Sequence, residues 1–137
     1  MIIENSPLVS VVIACYNHEN FVQDCINSII NQTYQNIELI IIDDGSSDSS
    51  VEKINELLGG CYERFVRFEF RHRSNRGLTS TLNEALIWCR GEYYCPFASD
   101  DIMLKNKTAI QVNYLLYEVY IIVIFGGVNF INNNGEF

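Results

Sequence analysis

The chain has 137 residues, of which 19% are charged and 48% are hydrophobic, a balance typical of one globular domain. Its formal net charge of −8 argues against a general nucleic-acid-binding protein, because such a protein needs a basic surface. The 5 cysteines are scattered without C-x-x-C spacing, which indicates small core residues of a reducing compartment. No signal-peptide pattern and no apolar run of bilayer-spanning length is present. We therefore expect a cytoplasmic protein that touches the inner face of the membrane at most peripherally.

The first third of the chain predicts two buried strands with a helix between them. Residues 8–14 and 37–42 are nearly continuous apolar runs rich in β-branched side chains, a pattern typical of parallel strands. Between them, apolar residues from Phe21 to Ile30 recur at helical spacing, and Asn20 is the predicted N-cap.

The middle of the chain predicts a second helix and a half-exposed strand. The helix is expected to begin after Ser47 or Asp48 and to end at Gly59-Gly60. Residues 64–73 alternate with a period of two, which indicates a strand near an edge of the sheet. We interpret the polar side of this strand as a solvated face. Its arginines are Arg67, Arg71 and Arg73.

The remaining sequence continues the alternation of helices and strands. The predicted elements are a helix over 78–89, a strand over 93–98, a helix over 109–116, a strand over 120–125 that continues over 128–131, and a hairpin turn at Asn134-Gly135. This order predicts a three-layer α/β/α fold with a mostly parallel sheet. Neither a G-x-G-x-x-G after the first strand nor a P-loop is present, which disfavours dinucleotide and P-loop sites.

Two of the strands end in paired aspartates, Asp43-Asp44 and Asp100-Asp101. Because open α/β sheets bind ligands at the carboxyl ends of their strands, both pairs are expected at one edge, together with Tyr16 and Asn17. Taken alone, Asp100-Asp101 is better explained as a solvated loop that caps the next helix. Together, an aromatic ring and several carboxylates suit a nucleotide whose diphosphate is held by Mg²⁺ or Mn²⁺.

The basic and imidazole side chains near these loops leave their own roles open. Arg76 stands beside Gly77 at a predicted helix start, where a diphosphate could bind, although a solvated side chain explains it equally well. His18 and His72 have no spacing for a zinc site or a catalytic triad. We interpret both histidines as ordinary polar contacts.

Five segments, in unbroken order, resemble the signatures of one enzyme family. They are residues 9–17, 28–33, 38–48, 75–83 and 91–101. On these segments the chain resembles the amino-terminal, donor-binding part of an inverting family 2 glycosyltransferase with the GT-A nucleotide-sugar fold. It departs from that pattern at Ala14-Cys15, where many members have Pro and Thr, and at Thr81-Leu82-Asn83, which often reads A-R-N.

The resemblance implies a role for each residue of the site. Tyr16 would flank the base, Asp44 would hydrogen-bond it, Asp100 would touch the ribose or the diphosphate, and Asp101 would coordinate Mn²⁺ or Mg²⁺. Asp43 would orient its loop. The full set implied to bind the nucleotide is Ala14, Tyr16, Asn17, Asp44, Arg76 and Asp100.

The resemblance further implies a transferase that moves a sugar from a nucleoside-diphosphate donor, with a UDP-sugar favoured, to an acceptor hydroxyl. The acceptor would be a glycan or a lipid-linked acceptor in cell-surface glycan synthesis. We identify no catalytic base, which in the family comes from a later segment, so residues 1–137 are expected to be a single nucleotide-sugar-binding domain truncated before the acceptor-binding part. The alternatives are a nucleotide-binding module that is inactive as it stands and a doubly wound regulatory or flavin-binding domain.

Overall fold

The computed structural model describes residues 6–118, 120–132 and 134. Its elements in chain order are β1 (Val9–Cys15), α1 (Val22–Ile30), β2 (Ile37–Asp43), α2 (Ser50–Asn55), α3 (Leu58–Arg64), β3 (Arg67–His72), α4 (Leu78–Trp88), β4 (Tyr93–Ala98) and α5 (Lys107–Tyr117). In this part of the chain, four strands form one sheet in the order β3-β2-β1-β4, and every neighbouring pair is parallel. The predicted α/β fold with a parallel sheet is confirmed.

The two central strands are buried because both of their faces are covered by helices. Alternate residues of β1 and β2, including Val11 and Leu39, pack against α1, α2, α3 and α5. The intervening residues, including Val12 and Ile40, pack against Ala85 of α4 on the opposite face. Strands buried on both faces carry nearly continuous apolar runs, and this pattern made them predictable from the sequence. The fold therefore has three layers.

Two helix boundaries differ from the prediction at their amino ends. α1 begins at Val22, and neither Asn20 nor the N-cap residue Phe21 makes a side-chain capping bond. The N–H groups of Phe21 and Val22 donate instead to the backbone carbonyl of His18. α2 begins at Ser50 with Ser49 as its N-cap residue, later than predicted, and Asp48 just before it accepts a hydrogen bond from the N–H of Ser50.

The prediction that Gly59-Gly60 ends the second helix is wrong. The chain turns at Glu56-Leu57, and both glycines lie inside the separate helix α3. α3 forms because its Cys61 is buried in the core and its Leu58 packs against it. Tertiary packing of this kind outweighs the low helix propensity of glycine.

Replacing Gly59 by alanine is expected to raise the free energy of unfolding by about 0.5–1 kcal/mol, since alanine loses less conformational entropy in a helix. A Cβ atom at Gly59 would meet no atom within 4 Å. Urea unfolding measures the change. Gly45→Ala is the control of opposite sign, because Gly45 has a φ of +80° and its Cβ would lie 2.6 Å from the backbone nitrogen of Asn75. A loss of stability in Gly59→Ala would contradict the assignment of α3.

The prediction of a fifth strand over 120–125 and 128–131 is also wrong. Residues 120–132 contain no strand. Tyr120, Ile122 and Phe130 are at least 90% exposed. A strand needs a hydrogen-bonded neighbour as well as a β-prone sequence, and here the segment pairs with none of the sheet's described strands. The predicted turn at Asn134-Gly135 lies partly outside the described residues. No helix of the described part is long and apolar enough to cross a membrane.

β3 is an edge strand of the described sheet, as predicted, but of the arginines predicted to be solvated only Arg71 is exposed. Arg67 Nη1 lies 2.9 Å from Oε2 of the fully buried Glu38. The Arg71 guanidinium lies 3.4 Å from the centre of the Trp88 ring. Arg73 pairs with two carboxylates. The reason is that α4 packs beside this side of the strand, so that Arg67 and Arg73 are partly covered while Arg71, with its side chain 55% exposed, still faces solvent.

Candidate functional site

The loops that follow the strands meet at the carboxyl edge of the sheet, where the paired aspartates lie. The backbone N–H of Asp44 donates to the carbonyl of Cys15 over 2.8 Å. The carboxylate of Asp44 accepts a hydrogen bond from Arg73, which follows β3. The loop after β4 joins them where Ser99 Oγ lies 2.7 Å from Nδ1 of His18. The parallel topology thus brings together the three loops that the sequence predicted and also the loop after β3.

The loop after β1 is held by Asn17. This residue has a φ of 53°, in the left-handed region that asparagine tolerates better than most residues. Its Oδ1 accepts a hydrogen bond from the N–H of Ser47 over 2.8 Å, and its own N–H donates to Ser46 Oγ over 2.9 Å. These bonds tie the first loop to the loop after β2. They leave the neighbouring Tyr16 half exposed beside the site.

Asp43 holds the second loop from the inside. Its carboxylate is fully buried and accepts hydrogen bonds from both the N–H and the Oγ of Ser46. Nδ1 of His72 lies 2.9 Å from Asp43 Oδ1. With its oxygens occupied in this way, Asp43 orients the loop. His72 makes an ordinary polar contact, as the sequence analysis predicted.

Asp44 is the most strongly organised carboxylate at this edge. It is only 4% exposed, and its oxygens accept hydrogen bonds from the N–H of Arg76 (2.8 Å), the N–H of Gly77 (2.9 Å) and Nη1 of Arg73. Burial alone would raise the pKa of this carboxyl, but the hydrogen bonds from Arg76, Arg73 and Gly77 outweigh it and lower the pKa. Asp44 is therefore a fixed, ionised hydrogen-bond acceptor.

Two adjoining cavities lie along this edge. The first has a volume of ≈ 160 Å³ and is lined by residues that include Ala14, Tyr16, Asp44, Asn75 and Gly77. The second has a volume of ≈ 380 Å³ and extends towards the loop after β4. Its lining includes Leu82, Phe97, Ser99, Asp100 and His18. Because Ala14 and Leu78 line both cavities, the two form one continuous cleft that runs from Asp44 to Asp100.

The pair Asp100-Asp101 is exposed at the far end of the cleft. Asp100 Oδ2 lies 4.0 Å from Nε2 of His18, and its side chain is 49% exposed. The N–H of Asp101 donates to the carbonyl of Ala98, which fixes the turn that follows β4. Neither carboxylate forms an ion pair with a Lys or Arg of the described residues. In contrast to Asp44, this pair is open to a ligand.

Comparison with known proteins decides which family the chain belongs to. The family described as Glycosyl transferase family 2 matches residues 10–137. The chain belongs to glycosyl transferase family 2. The resemblance inferred from the five sequence segments is thereby confirmed.

Relatives of this family 2 chain are similar over most of its length. An uncharacterized glycosyltransferase of Rickettsia bellii is 35% identical over 132 residues, which are 96% of this chain and 18% of the relative. The chain spans less than half the length of the curated relatives that it matches.

Solved transferase structures share the fold. The Pyrobaculum calidifontis mannosyltransferase in complex with GDP-Man and Mn²⁺ superposes with a TM-score of 0.74, at 21% identity, over 82% of this chain and 33% of that one. Residues 1–349 of Staphylococcus aureus TarS in complex with UDP-GlcNAc superpose with a TM-score of 0.72, also at 21% identity, over 82% and 32%. The glycosyl transferase chain therefore has a GT-A type fold.

The side chains of the described residues form no complete site for a divalent metal by themselves. No group of three or more His, Cys, Asp or Glu among the described residues is arranged to bind a metal alone. Mg²⁺, however, usually binds proteins through one or two carboxylates and completes its shell with substrate phosphates and water. The exposed pair Asp100-Asp101 fits that requirement, because its oxygens have no competing cation among the described residues.

Three further residues of the family 2 site were not identified from the sequence. Arg73 reaches Asp44 from the end of β3, Thr81 accepts a hydrogen bond from Arg73, and Ser46 anchors the two loops through Asn17 and Asp43. The position of Arg73 beside the turn over 74–77 could have indicated its role in the site. Its period-two spacing with the residues of β3 instead suggested a solvated side chain.

Proposed function

We propose that this chain is the donor-binding part of a glycosyltransferase that moves a sugar from a nucleoside-diphosphate donor, preferably a UDP-sugar, to an acceptor hydroxyl. The observation that carries this proposal is the continuous cleft with a buried, ionised acceptor at Asp44 and an open pair of carboxylates at Asp100-Asp101. The first cavity suits a base and the second suits the ribose and diphosphate. Free cysteines such as Cys15 fit action in the reducing cytoplasm.

The base would be recognised by Asp44 and flanked by Tyr16. A carboxylate can accept about four hydrogen bonds, and three partners already donate to Asp44 in the described structure. The remaining acceptor position suits a ring N–H, which uracil and guanine present, whereas neutral cytosine could donate only from its exocyclic amino group. This geometry supports UDP or GDP over CDP. Ala14, in the wall of the same cavity, leaves room for the ring.

The diphosphate would lie beside Asp100, with Asp101 holding Mn²⁺ or Mg²⁺ against its oxygens. When bound, such a metal stabilises the charge that develops on the leaving diphosphate. Asn17 completes the proposed set by holding the Tyr16 loop, and the exposed Arg76 at the rim would offer its guanidinium to the diphosphate. An inverting transfer also needs a carboxylate base at the acceptor hydroxyl, and we assign that role to no residue of this chain.

Titration calorimetry with UDP, GDP, CDP and dTDP, each with and without Mn²⁺, tests this proposal. We expect UDP to bind most tightly and Mn²⁺ to strengthen its binding. FMN serves as a further titrant, because binding of FMN without any nucleoside diphosphate would favour the flavin-binding alternative. If none of the four nucleotides binds in either condition, the proposed function is wrong. Binding without sugar transfer from UDP-sugars would support a donor-binding part that is inactive by itself.

A further inference from the structure

The guanidinium of Arg73 is engaged inside the protein and does not face the cleft. Its side chain is 14% exposed and comes from the residue that directly follows β3. Nε donates to Glu84 over 2.7 Å and Nη2 donates to Thr81 Oγ1 over 2.9 Å. Nη1 donates to the carboxylate of Asp44 and to the carbonyl of Ser74. Four of the five N–H groups of a guanidinium are thus occupied.

These bonds join three elements around one carboxylate. Glu84 and Thr81 belong to α4, whereas Asp44 follows β2. Thr81, which is fully buried, also donates to the carbonyl of Gly77 over 2.9 Å and so ties the loop to the helix. Arginine presents its donors in a rigid planar fork, so a network of this kind restricts the carboxylate to one orientation.

We propose that Arg73, supported by Glu84, is a positioning residue that fixes the Asp44 carboxylate towards the base cavity and thereby selects nucleotides whose base donates a ring N–H. This inference rests on the proposed function and deepens it. Arg73 itself is not among the residues that line the cleft, although it contacts two of them, Asp44 and Thr81. Its effect on the nucleotide would pass entirely through the orientation and ionisation of Asp44.

The charges around Asp44 make its ionisation depend on Arg73. The Arg73 guanidinium reaches the Asp44 carboxylate from the residue that follows β3, and the backbone N–H of Arg76 reaches it from the next loop. Glu84 of α4 contacts the guanidinium from its other side. The neighbouring Asp43 is paired with His72.

With Arg73 removed, the nearly buried Asp44 would keep two negative neighbours, Asp43 and Glu84, and would lose its cation. Its pKa would then rise, because burial and like charges both disfavour the ionised form. A protonated Asp44 would become a hydrogen-bond donor and would no longer favour bases that donate a ring N–H.

The test compares Arg73→Met with wild type by calorimetry of UDP and CDP at several values between about pH 8 and about pH 5, a range in which an ordinary aspartate stays ionised. Wild type is expected to keep its preference for UDP over CDP throughout. Arg73→Met is expected to lose about 10-fold or more of that preference, the effect of losing a charge-assisted hydrogen bond. The loss should grow as the pH falls. Arg73→Lys should recover part of it.

Arg71→Met is the matched control, since it removes a nearby guanidinium that stacks on Trp88 and also lies 3.9 Å from Glu84, yet leaves the bond from Arg73 to Asp44 in place. An unchanged UDP-to-CDP ratio and pH profile in folded Arg73→Met would overturn the inference while leaving the proposed function intact. If Arg73→Met does not fold, Glu84→Gln replaces it and must weaken the UDP preference in the same direction, or the inference is wrong. Failure of wild type to bind any nucleotide overturns both.

Discussion

Asp101→Asn is expected to abolish the strengthening of UDP binding by Mn²⁺, with a loss of about 10- to 100-fold in affinity when the metal is present. The substitution keeps the shape of the side chain but removes the negative charge that a hard divalent cation requires. Because Asp101 is exposed, the change should leave the fold intact. Binding of UDP without metal should be unaffected, so the difference between the two titrations isolates the metal contribution.

Glu63→Gln is the matched control for this experiment. Glu63 is an exposed carboxylate on α3, which leads into β3 and therefore lies at the opposite, amino edge of the sheet. Glu63→Gln removes one negative charge, as Asp101→Asn does. It is expected to change the affinity for UDP in the presence of Mn²⁺ by less than about twofold, because exposed charges far from a site are screened. If Asp101→Asn kept the full effect of Mn²⁺, the metal would bind elsewhere.

Glu38→Ala is expected to lower the free energy of unfolding by about 3–5 kcal/mol, the cost of breaking a buried ion pair by removing one partner. Glu38 is fully buried, and its carboxylate accepts hydrogen bonds from Ser10 Oγ, Arg67 and the N–H groups of Arg90 and Gly91. Truncation would leave the Ser10 hydroxyl and the Arg90 N–H without their acceptor, and the Arg67 guanidinium would keep only Glu69 and the carbonyl of Trp88. Urea unfolding followed by circular dichroism measures the loss.

Glu69→Ala separates this burial effect from a simple loss of charge. Glu69 also pairs with Arg67, over 3.1 Å, but its side chain is 42% exposed. An exposed pair of this kind contributes little, so the change should stay within about 1 kcal/mol. Equal losses in Glu38→Ala and Glu69→Ala would mean that the buried network contributes no more than a surface pair.

The central strands and the paired aspartates were predictable because their physical causes are local in the sequence. Strands covered by helices on both faces are nearly continuous apolar runs, and residues 37–42 show this pattern apart from Glu38 without any structural information. Parallel strands place their carboxyl ends at one edge, so the convergence of Asp44 and Asp101 followed from topology alone.

The roles of individual charged side chains were not predictable, because they depend on partners distant in sequence. Arg67 and Arg73 have the alternation of a solvated strand, yet each meets a carboxylate from another element of the fold. Glu38 has no sequence signal beyond one charge in an apolar run. The missing strand over 120–125 has a similar cause, since β-prone residues form a strand only where a neighbour offers hydrogen bonds.

The carboxylates of the sheet and its loops fall into three classes of exposure. Glu38 and Asp43 are fully buried with their oxygens occupied by protein donors, and they stabilise the sheet and its loops. Asp100 and Asp101 are exposed and face no Lys or Arg of the described residues. Asp44 is intermediate, since it is nearly buried but lines the cleft. This division supports the proposal that the ligand binds at the edge with Asp100-Asp101.

The position of the donor and its metal is tested most directly by NMR of the ¹⁵N-labelled chain with UDP, in which Mn²⁺ is compared with diamagnetic Mg²⁺. Bound Mn²⁺ broadens the amide signals of nearby residues. We predict broadening in the loop of Asp100 and Asp101 and in the neighbouring loop of Tyr16, with sharp signals at the amino edge around Glu38 and Arg67. Broadening centred on the amino edge, or none that depends on UDP, would contradict the proposed site.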